Sequence, residues 1–331
     1  MNAKIEDLQS YCFEIDFGTV KLSDSQKKFH EELNKEIILL CKSLPESTQD
    51  DALIFSMRYS GLSFGDELNF FKNYYAPTWS IVYWLIQACP IDKKLRERDI
   101  KEAITGHTMA MNLHSLDDHL NDGELPSTHL TLLLRSQSWM IMKTAFNYLA
   151  AEIKGGKKIV ADFIDNYYES IRCPKEIKQL DSYCDLFRKQ MATGMIVPVL
   201  LTKMIHNSDK FSNAIQAAYG SFGIAWRLLD DLKDLQSDLA NSTHSSIYIC
   251  LPEWAKNIWN RYKDLKSPKK DDLTEIIIEC LVDKGVIKRI THRICSELES
   301  AASIADDLDM GGLADEFLAL VKPIKLFRFY F

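Results

Sequence analysis

The sequence is short of the residues that divide a chain. Thirteen glycines and nine prolines are spread over 331 residues, and no Pro/Gly/Ser-rich stretch separates two halves. Length alone would allow two domains; without a linker the chain reads as one, over residues 1–331. Basic runs are missing too. Forty basic residues against 47 acidic ones leave a net charge of −7, which argues against a nucleic-acid partner. The start, MNAKIEDLQSYCFEIDFG, has no apolar signal-peptide core, and residues 1–22 form an N-terminal segment of uncertain order. The most apolar stretch, PTWSIVYWLIQACP (77–90), is too short and Pro-bounded to span a bilayer as a helix, so the chain is not transmembrane. The eight cysteines (12, 41, 89, 173, 184, 250, 280 and 295) make no CxxC and no zinc spacing with a histidine. Reduced, mostly buried thiols in a cytoplasmic protein are the expectation. Alternating β-runs are nearly absent as well; SSIYICLP (245–252) is the one candidate.

What the chain has is helical periodicity. Helices are predicted near 24–43, 66–89, 93–122, 127–153, 157–172, 176–206, 210–240, 271–281, 284–309 and 313–322. Ser23 and Ser127 stand where N-caps belong, and KGGKK (154–158) and the Gly-Gly at 311–312 read as breaks. Several of these helices approach 25–30 residues without a sustained heptad seam. The fold class is therefore all-α, long helices around a common interior rather than a coiled coil.

Charge is concentrated at two places. AWRLLDDLKDLQSDLA (225–240) puts Asp230, Asp234 and Asp238 four residues apart, in one column of a helix, with Asp231 on its flank. Like charges so spaced repel, and the apolar GSFGIAW before them argues for acids at the edge of a buried face. MNLHSLDDHLNDGEL (111–125) places Asp117, Asp118, Asn121 and Asp122 at the end of a second long helix. Two such sets could face each other across a cavity mouth and hold Mg²⁺ ions around a diphosphate, because Mg²⁺ prefers oxygen ligands and shares them with phosphates. Two solvated helix ends are the competing reading. A third acidic run, IADDLDMGG (304–312), reads as surface.

The two clusters resemble the paired aspartate-rich motifs of the all-trans prenyl diphosphate synthases, over about residues 65–330. Trp226-Arg-Leu-Leu-Asp-Asp-Leu-Lys-Asp234, followed by Asp238, is similar to the second motif. Asp117-Asp118-x-x-Asn121 resembles the first, with Asn121 where its last Asp would be and Asp122 one beyond. YCDLFRKQMATGMIVPVLL (183–201) resembles the family's Lys-Thr helix, with Lys189 at the diphosphate-contacting lysine, Gln190 in place of Thr, and Pro198 at the downstream proline. Arg328 falls near the end of a similar tail. The resemblance implies the class I isoprenoid synthase fold, a helical bundle around an apolar pocket. It also implies a prenyl diphosphate substrate, Mg²⁺ (or Mn²⁺) as cofactor, and a homodimer.

Asp117, Asp118, Asp230, Asp231 and Asp234 are the candidate catalytic residues. The metal would fall to Asp117, Asp118, Asp230, Asp234 and Asp238, with Asn121 or Asp122 completing the first set. Arg227 is either a structural ion-pair partner of Asp230 and Asp231 or a diphosphate donor. Lys189 and Arg188 are candidates for the same anion, or surface charges. Tyr75, Trp79 and Tyr83 share a face at four-residue spacing; they are either core or cavity wall, where aromatic faces would stabilise a carbocation.

The departures from the family bear on function. Where the chain elongators carry an Arg-Arg pair for isopentenyl diphosphate, this chain reads ELPST (124–128). Their N-terminal Gly-Gly-Lys element has no match in MRYSGLSFGDEL (57–68), and His244 replaces the lysine after the second motif. These losses favour a terpene synthase, in which the ionised prenyl chain cyclises or is quenched, over a prenyltransferase acting on isopentenyl diphosphate or another acceptor. A noncatalytic subunit of a heteromeric synthase is a third possibility, disfavoured because both clusters keep their aspartates.

Overall fold

The computed structural model describes residues 15–93, 95–172, 177–264 and 269–327. Among these residues there are fifteen α-helices, three 3₁₀ turns and no strand. Helix α1 (Asp24–Lys42) begins where the sequence signals it: the Ser23 side chain accepts from the Gln26 amide, and the Gln26 side chain accepts from the Ser23 amide at 2.9 Å. Helix α2 (Gln49–Tyr59) has no counterpart in the periodicity reading. Helix α3 (Pro77–Gln87) fills only the last half of the helix expected over 66–89. Pro77 opens it, which suits a fixed φ, whereas residues 60–76 run in turns with Gly61 and Gly65 at positive φ.

Helices α4 (Glu97–Asn121), α5 (His129–Ala151) and α6 (Gly156–Arg172) follow the expectation closely, except that Thr128 rather than Ser127 caps α5. The helix expected over 176–206 is two, α7 (Leu180–Gln190) and α8 (Ala192–His206), broken at Met191. Pro198 sits inside α8, where the Thr202 hydroxyl donates to its carbonyl at 2.7 Å. The acidic helix is likewise two, α9 (Asp209–Lys233) and α10 (Leu235–Asn241), with the break at Asp234.

SSIYICLP is not a strand. It forms the short helix α11 (Ser246–Cys250), because the Asp231 carboxylate accepts the Ser246 amide at 2.9 Å and so holds its first turn. Helices α12 (Glu253–Arg261), α13 (Lys269–Asp283), α14 (Val286–Asp307) and α15 (Gly311–Phe327) complete the order. The break expected at Gly311–Gly312 falls earlier, at Leu308–Met310, with Asp309 in the left-handed region. The two glycines instead open α15.

One continuous apolar cluster runs through the molecule. Helix α9 lies along α14, α14 against α15 and α4 along α5, while α8 packs against both α4 and α9. Phe222, Leu228 and Leu229 of α9 and Ile290, Ile294 and Leu298 of α14 are fully buried, and the two helices share a long seam. Burying a side chain of this size is worth about 1.5–3 kcal/mol. This seam fixes the rotation of α9 and so decides which of its aspartates face inward.

Candidate active site

Helices α4 and α9 bring the ends of the two acidic sequences to one cavity of about 400 Å³. Asp118 and Asn121 line it from α4, Arg227 and Asp230 from α9. Asp230 is held up to about pKa 6, mainly by burial and then by Asp234, with Asp231 and Asp118 adding to it and Arg227 opposing. Asp118, on the other helix, is the smallest of these influences.

The remaining candidates divide by environment. Asp117 is buried and turned toward α5, where Arg135 grips it in a bidentate pair at 2.6 and 3.0 Å. It does not line the cavity; its carboxylate is already committed to a protein partner. Asp231 is also buried. It accepts from the Tyr183 hydroxyl at 3.1 Å and the Ser246 amide at 2.9 Å, and pairs with Arg227 at 3.1 Å. It organises the site from behind. Asp122 caps α4 and is exposed, its pKa raised by partial burial and then by Asp118 and Glu124. Asp234 is exposed at the helix break, its pKa raised by burial and by Asp231. Asp238, on α10, is pushed to about 7 by burial, with Asp231 and Asp234 adding to it. The third acidic run is on the surface, with Asp306, Asp307 and Asp309 exposed.

Arg227 answers to both of its readings. Its Nε donates to the Tyr183 oxygen at 2.8 Å and lies beside Asp231, while its outer nitrogen reaches Asp230 at 4.0 Å and the side chain lines the cavity. It is the one Lys or Arg lining the cavity among the described residues. Arg188 does not reach the cavity; it pairs with Asp185 at 2.7 Å and Glu297 at 3.6 Å. Lys189 is exposed and also lies outside the lining, whereas Gln190 is part of it. Arg328 lies outside the described residues.

Of the two readings of the Tyr75, Trp79 and Tyr83 stripe, the structure takes the core one. Trp79 and Tyr83 are buried core: Trp79 stacks on Phe29 and packs at a tilt against His30, and Tyr83 hydrogen-bonds Ser25 at 2.8 Å. Tyr75 packs on Phe17 and Trp226 and hydrogen-bonds Asp16. Among the rings that line the cavity are Phe70, Phe71, Tyr74, Tyr167, Phe187, Tyr219 and Trp226. Helical spacing could not find Tyr74, because residues 70–76 are not helical. Tyr59, Ser115 and His119 form a further polar wall: the Tyr59 hydroxyl meets Ser115 Oγ at 2.9 Å and His119 Nδ1 at 2.8 Å. No motif flagged these.

Among the described residues no three His, Cys, Asp or Glu side chains converge into a group that could hold a metal by themselves. The donor set nonetheless suits Mg²⁺ in the shared form. Asp118 and Asp230 offer hard oxygens at one opening, and Mg²⁺ commonly takes one or two carboxylates with the rest from water and substrate phosphate. No helix among the described residues is long and apolar enough to cross a membrane.

No family model matches the sequence, and no curated protein sequence is similar to it. Solved structures are similar in fold. Geranylgeranyl pyrophosphate synthase from Corynebacterium glutamicum, complexed with calcium and isoprenyl diphosphate, superposes with a TM-score of 0.66 at 11% identity, over 94% of this chain and 99% of that one. Heptaprenyl diphosphate synthase from Staphylococcus aureus gives 0.64 at 11% identity, over 92% and 98%. Geranylgeranyl pyrophosphate synthetase from the archaeon Geoglobus acetivorans gives 0.62 at 16% identity, over 88% and 98%. The chain therefore shares the all-α fold of these prenyl diphosphate synthases.

Proposed function

We propose that the protein is a Mg²⁺-dependent enzyme that ionises an allylic prenyl diphosphate and transfers the prenyl group to an acceptor. The observation that carries this is the convergence of Asp118, Asn121 and Asp230 with Arg227 at the mouth of one aromatic-lined cavity. The similar structures are prenyl diphosphate synthases, which favours prenyl transfer over the cyclisation that the missing arginine pair suggested.

Arg227 is placed to bind the diphosphate as charge develops on it, held in position by Tyr183 and Asp231. Asp118, Asn121, Asp230, Asp234 and Asp238 are the proposed metal set, and Mg²⁺ bound there would neutralise the leaving diphosphate. Asp117 orients the end of α4 through Arg135. Tyr74, Tyr219 and Trp226 keep water from the allylic cation and present aromatic faces to it. A homodimer is part of the proposal, on resemblance alone.

Cyclisation or quenching without an acceptor is the second reading. It is favoured by the scarcity of cationic groups: Arg227 is the one Lys or Arg in the lining among the described residues, and a second diphosphate would need more. Incubation with C10, C15, C20 and C25 diphosphates and Mg²⁺, with and without radiolabelled isopentenyl diphosphate, tests both. Label in a longer prenyl diphosphate identifies an elongating prenyltransferase. Unlabelled hydrocarbon or alcohol from the donor alone supports the second reading. Absence of diphosphate release from every donor overturns the enzyme reading and leaves the noncatalytic subunit.

A further inference from the structure

A strap of extended chain runs over α15 and reaches the side of the acidic column. Residues 15–22 precede α1 and have no regular structure. Gly18 pins the strap: its amide donates to the Leu320 carbonyl at 3.0 Å, and a Cβ there would lie 2.1 Å from the Ala319 oxygen. Extended chain turns successive side chains to opposite faces. Ile15 and Phe17 are buried, and Asp16 between them is exposed. Phe17 meets the Tyr75 ring edge-on at 4.7 Å, and Tyr75 meets Trp226, a wall of the cavity, at 5.6 Å. The Tyr75 hydroxyl donates to the Asp16 carboxylate. Burial raises the pKa of that hydroxyl, and Asp16 and then Asp230 raise it further, which places both carboxylates near it.

The other partner of Asp16 is Lys233, whose Nζ lies 3.6 Å from it. Lys233 stands inside the second acidic motif. It follows Asp230 by three residues, which makes the two neighbours on the helix surface, and it directly precedes Asp234. Its charge already acts on Asp234. The Asp16 and Lys233 side chains are 53% and 37% exposed, so their pairing contributes little to folding. Its effect falls on the site instead. Lys is a compact point charge on a flexible stem. An ammonium resting on Asp230 or Asp234 has to be displaced before a metal ion can bind there. We propose that Asp16 is a positioning residue: it holds Lys233 to the side of the acidic column and leaves Asp230 and Asp234 free for metal. This rests on the metal set proposed above and adds to it a residue that acts through Lys233 rather than as a ligand. No spacing in the sequence connects residue 16 with residue 233; the course of the strap over α15 does.

The test measures Mg²⁺ binding to the full chain in the presence of inorganic pyrophosphate, by calorimetry and by the shift of the thermal midpoint. Asp16→Asn keeps an oxygen for Tyr75 and removes the charge that holds Lys233. It should weaken binding about three- to fivefold, the scale of one exposed ion pair, with the midpoint of the ligand-free protein unmoved. Lys233→Met alone should not weaken binding. The double variant Asp16→Asn, Lys233→Met should return to within about twofold of the parent, because no ammonium is left to compete; the two sites are coupled, so their effects do not add. A purely structural role for the strap would give no such rescue. Weaker binding that Lys233→Met does not restore would make Asp16 itself a ligand and overturn the proposal. Unchanged or tighter binding in Asp16→Asn also overturns it, and both results leave the prenyl-diphosphate reading intact. A parent protein that binds no Mg²⁺ with pyrophosphate overturns the metal set and this proposal together.

Discussion

Asp230 and Asp231 are adjacent in sequence and differ in almost every physical respect. The Asp231 side chain is 1% exposed and holds Arg227, Tyr183 and the first turn of α11. The Asp230 side chain is 49% exposed, and its one ion pair is the long contact to Arg227. Removing one member of a buried charged pair strands the other. Asp231→Ala should therefore lower the unfolding free energy by about 3–5 kcal/mol, read by urea denaturation. Asp230→Ala removes a carboxylate that its neighbours already crowd. It should leave the urea midpoint at or above that of the parent and abolish product formation. If the two variants lose stability equally, the division of labour between them is wrong. Asp117→Ala belongs with Asp231: Arg135 loses its bidentate partner, so a fall in stability is expected along with any fall in activity. The sequence displayed all of these aspartates. It did not display their partners, because Arg135, Tyr183 and Ser246 are 15 to 48 residues away and belong to other helices.

At the scale of elements, most helices were legible because their apolar residues recur at helical spacing over many turns. Helix α1 announced its own cap, and α4, α5 and α14 are long enough for the period to dominate. The errors fall where local chemistry or a distant contact overrides periodicity. Residues 66–76 are rich in aromatics but turn rather than coil, so rings from that turn line the cavity, and of the two readings of the Tyr75, Trp79 and Tyr83 stripe the core one holds. The short α11 falls in the one strand candidate of the sequence, where β-branched and aromatic residues cluster; the carboxylate that starts it as a helix lies on α9. Gly311 and Gly312 were read as a break, yet Gly312 is small for a packing reason. A Cβ there would come within 2.0 Å of the Trp84 ring. That ring cannot swing away without loss, because its Nε1 donates to the buried Glu316 at 2.7 Å, and Glu316 also accepts from Gln26 at 2.6 Å and from Ser80. Gly312→Ala should lower stability by about 1–3 kcal/mol, the usual cost of overpacking. Gly311→Ala, whose Cβ would meet nothing within 4 Å, is the control and should be neutral or slightly stabilising in the same thermal melt. Equal effects at both positions would mean that Trp84 yields freely and that the α3–α15 contact is loose.

At the scale of the whole molecule, the fold buries carboxyls of the second acidic cluster, and that burial has a consequence for stability. In the folded protein Asp230 titrates at about 6 and Asp238 at about 7, against the usual 3.8, because burial and neighbouring carboxylates oppose their ionisation. In the unfolded chain both lose their protons near pH 4. Between those values the folded state keeps protons that the unfolded state has released. Their contribution thus favours folding below about pH 4 and is lost as pH rises through 6 to 7. Buried histidines act the opposite way over part of this range: His107 is lowered to about 4 and His114 is also lowered, both by burial. A melt of the parent protein alone would mix the two effects. The difference between the parent and an Asp230→Asn, Asp238→Asn double variant isolates the aspartates. The variant should gain on the parent as pH rises from about 5 to 8, and the gap should be small at the acid end. Mg²⁺ with inorganic pyrophosphate should close the gap at pH 8 by raising the midpoint of the parent and not of the variant. The same addition should do little near pH 5, where protons already occupy the carboxylates. A gap that stays constant with pH would show that burial does not hold these two carboxyls protonated in the folded state. A midpoint that Mg²⁺ and pyrophosphate leave unmoved in the parent would remove Asp230 and Asp238 from the proposed metal set.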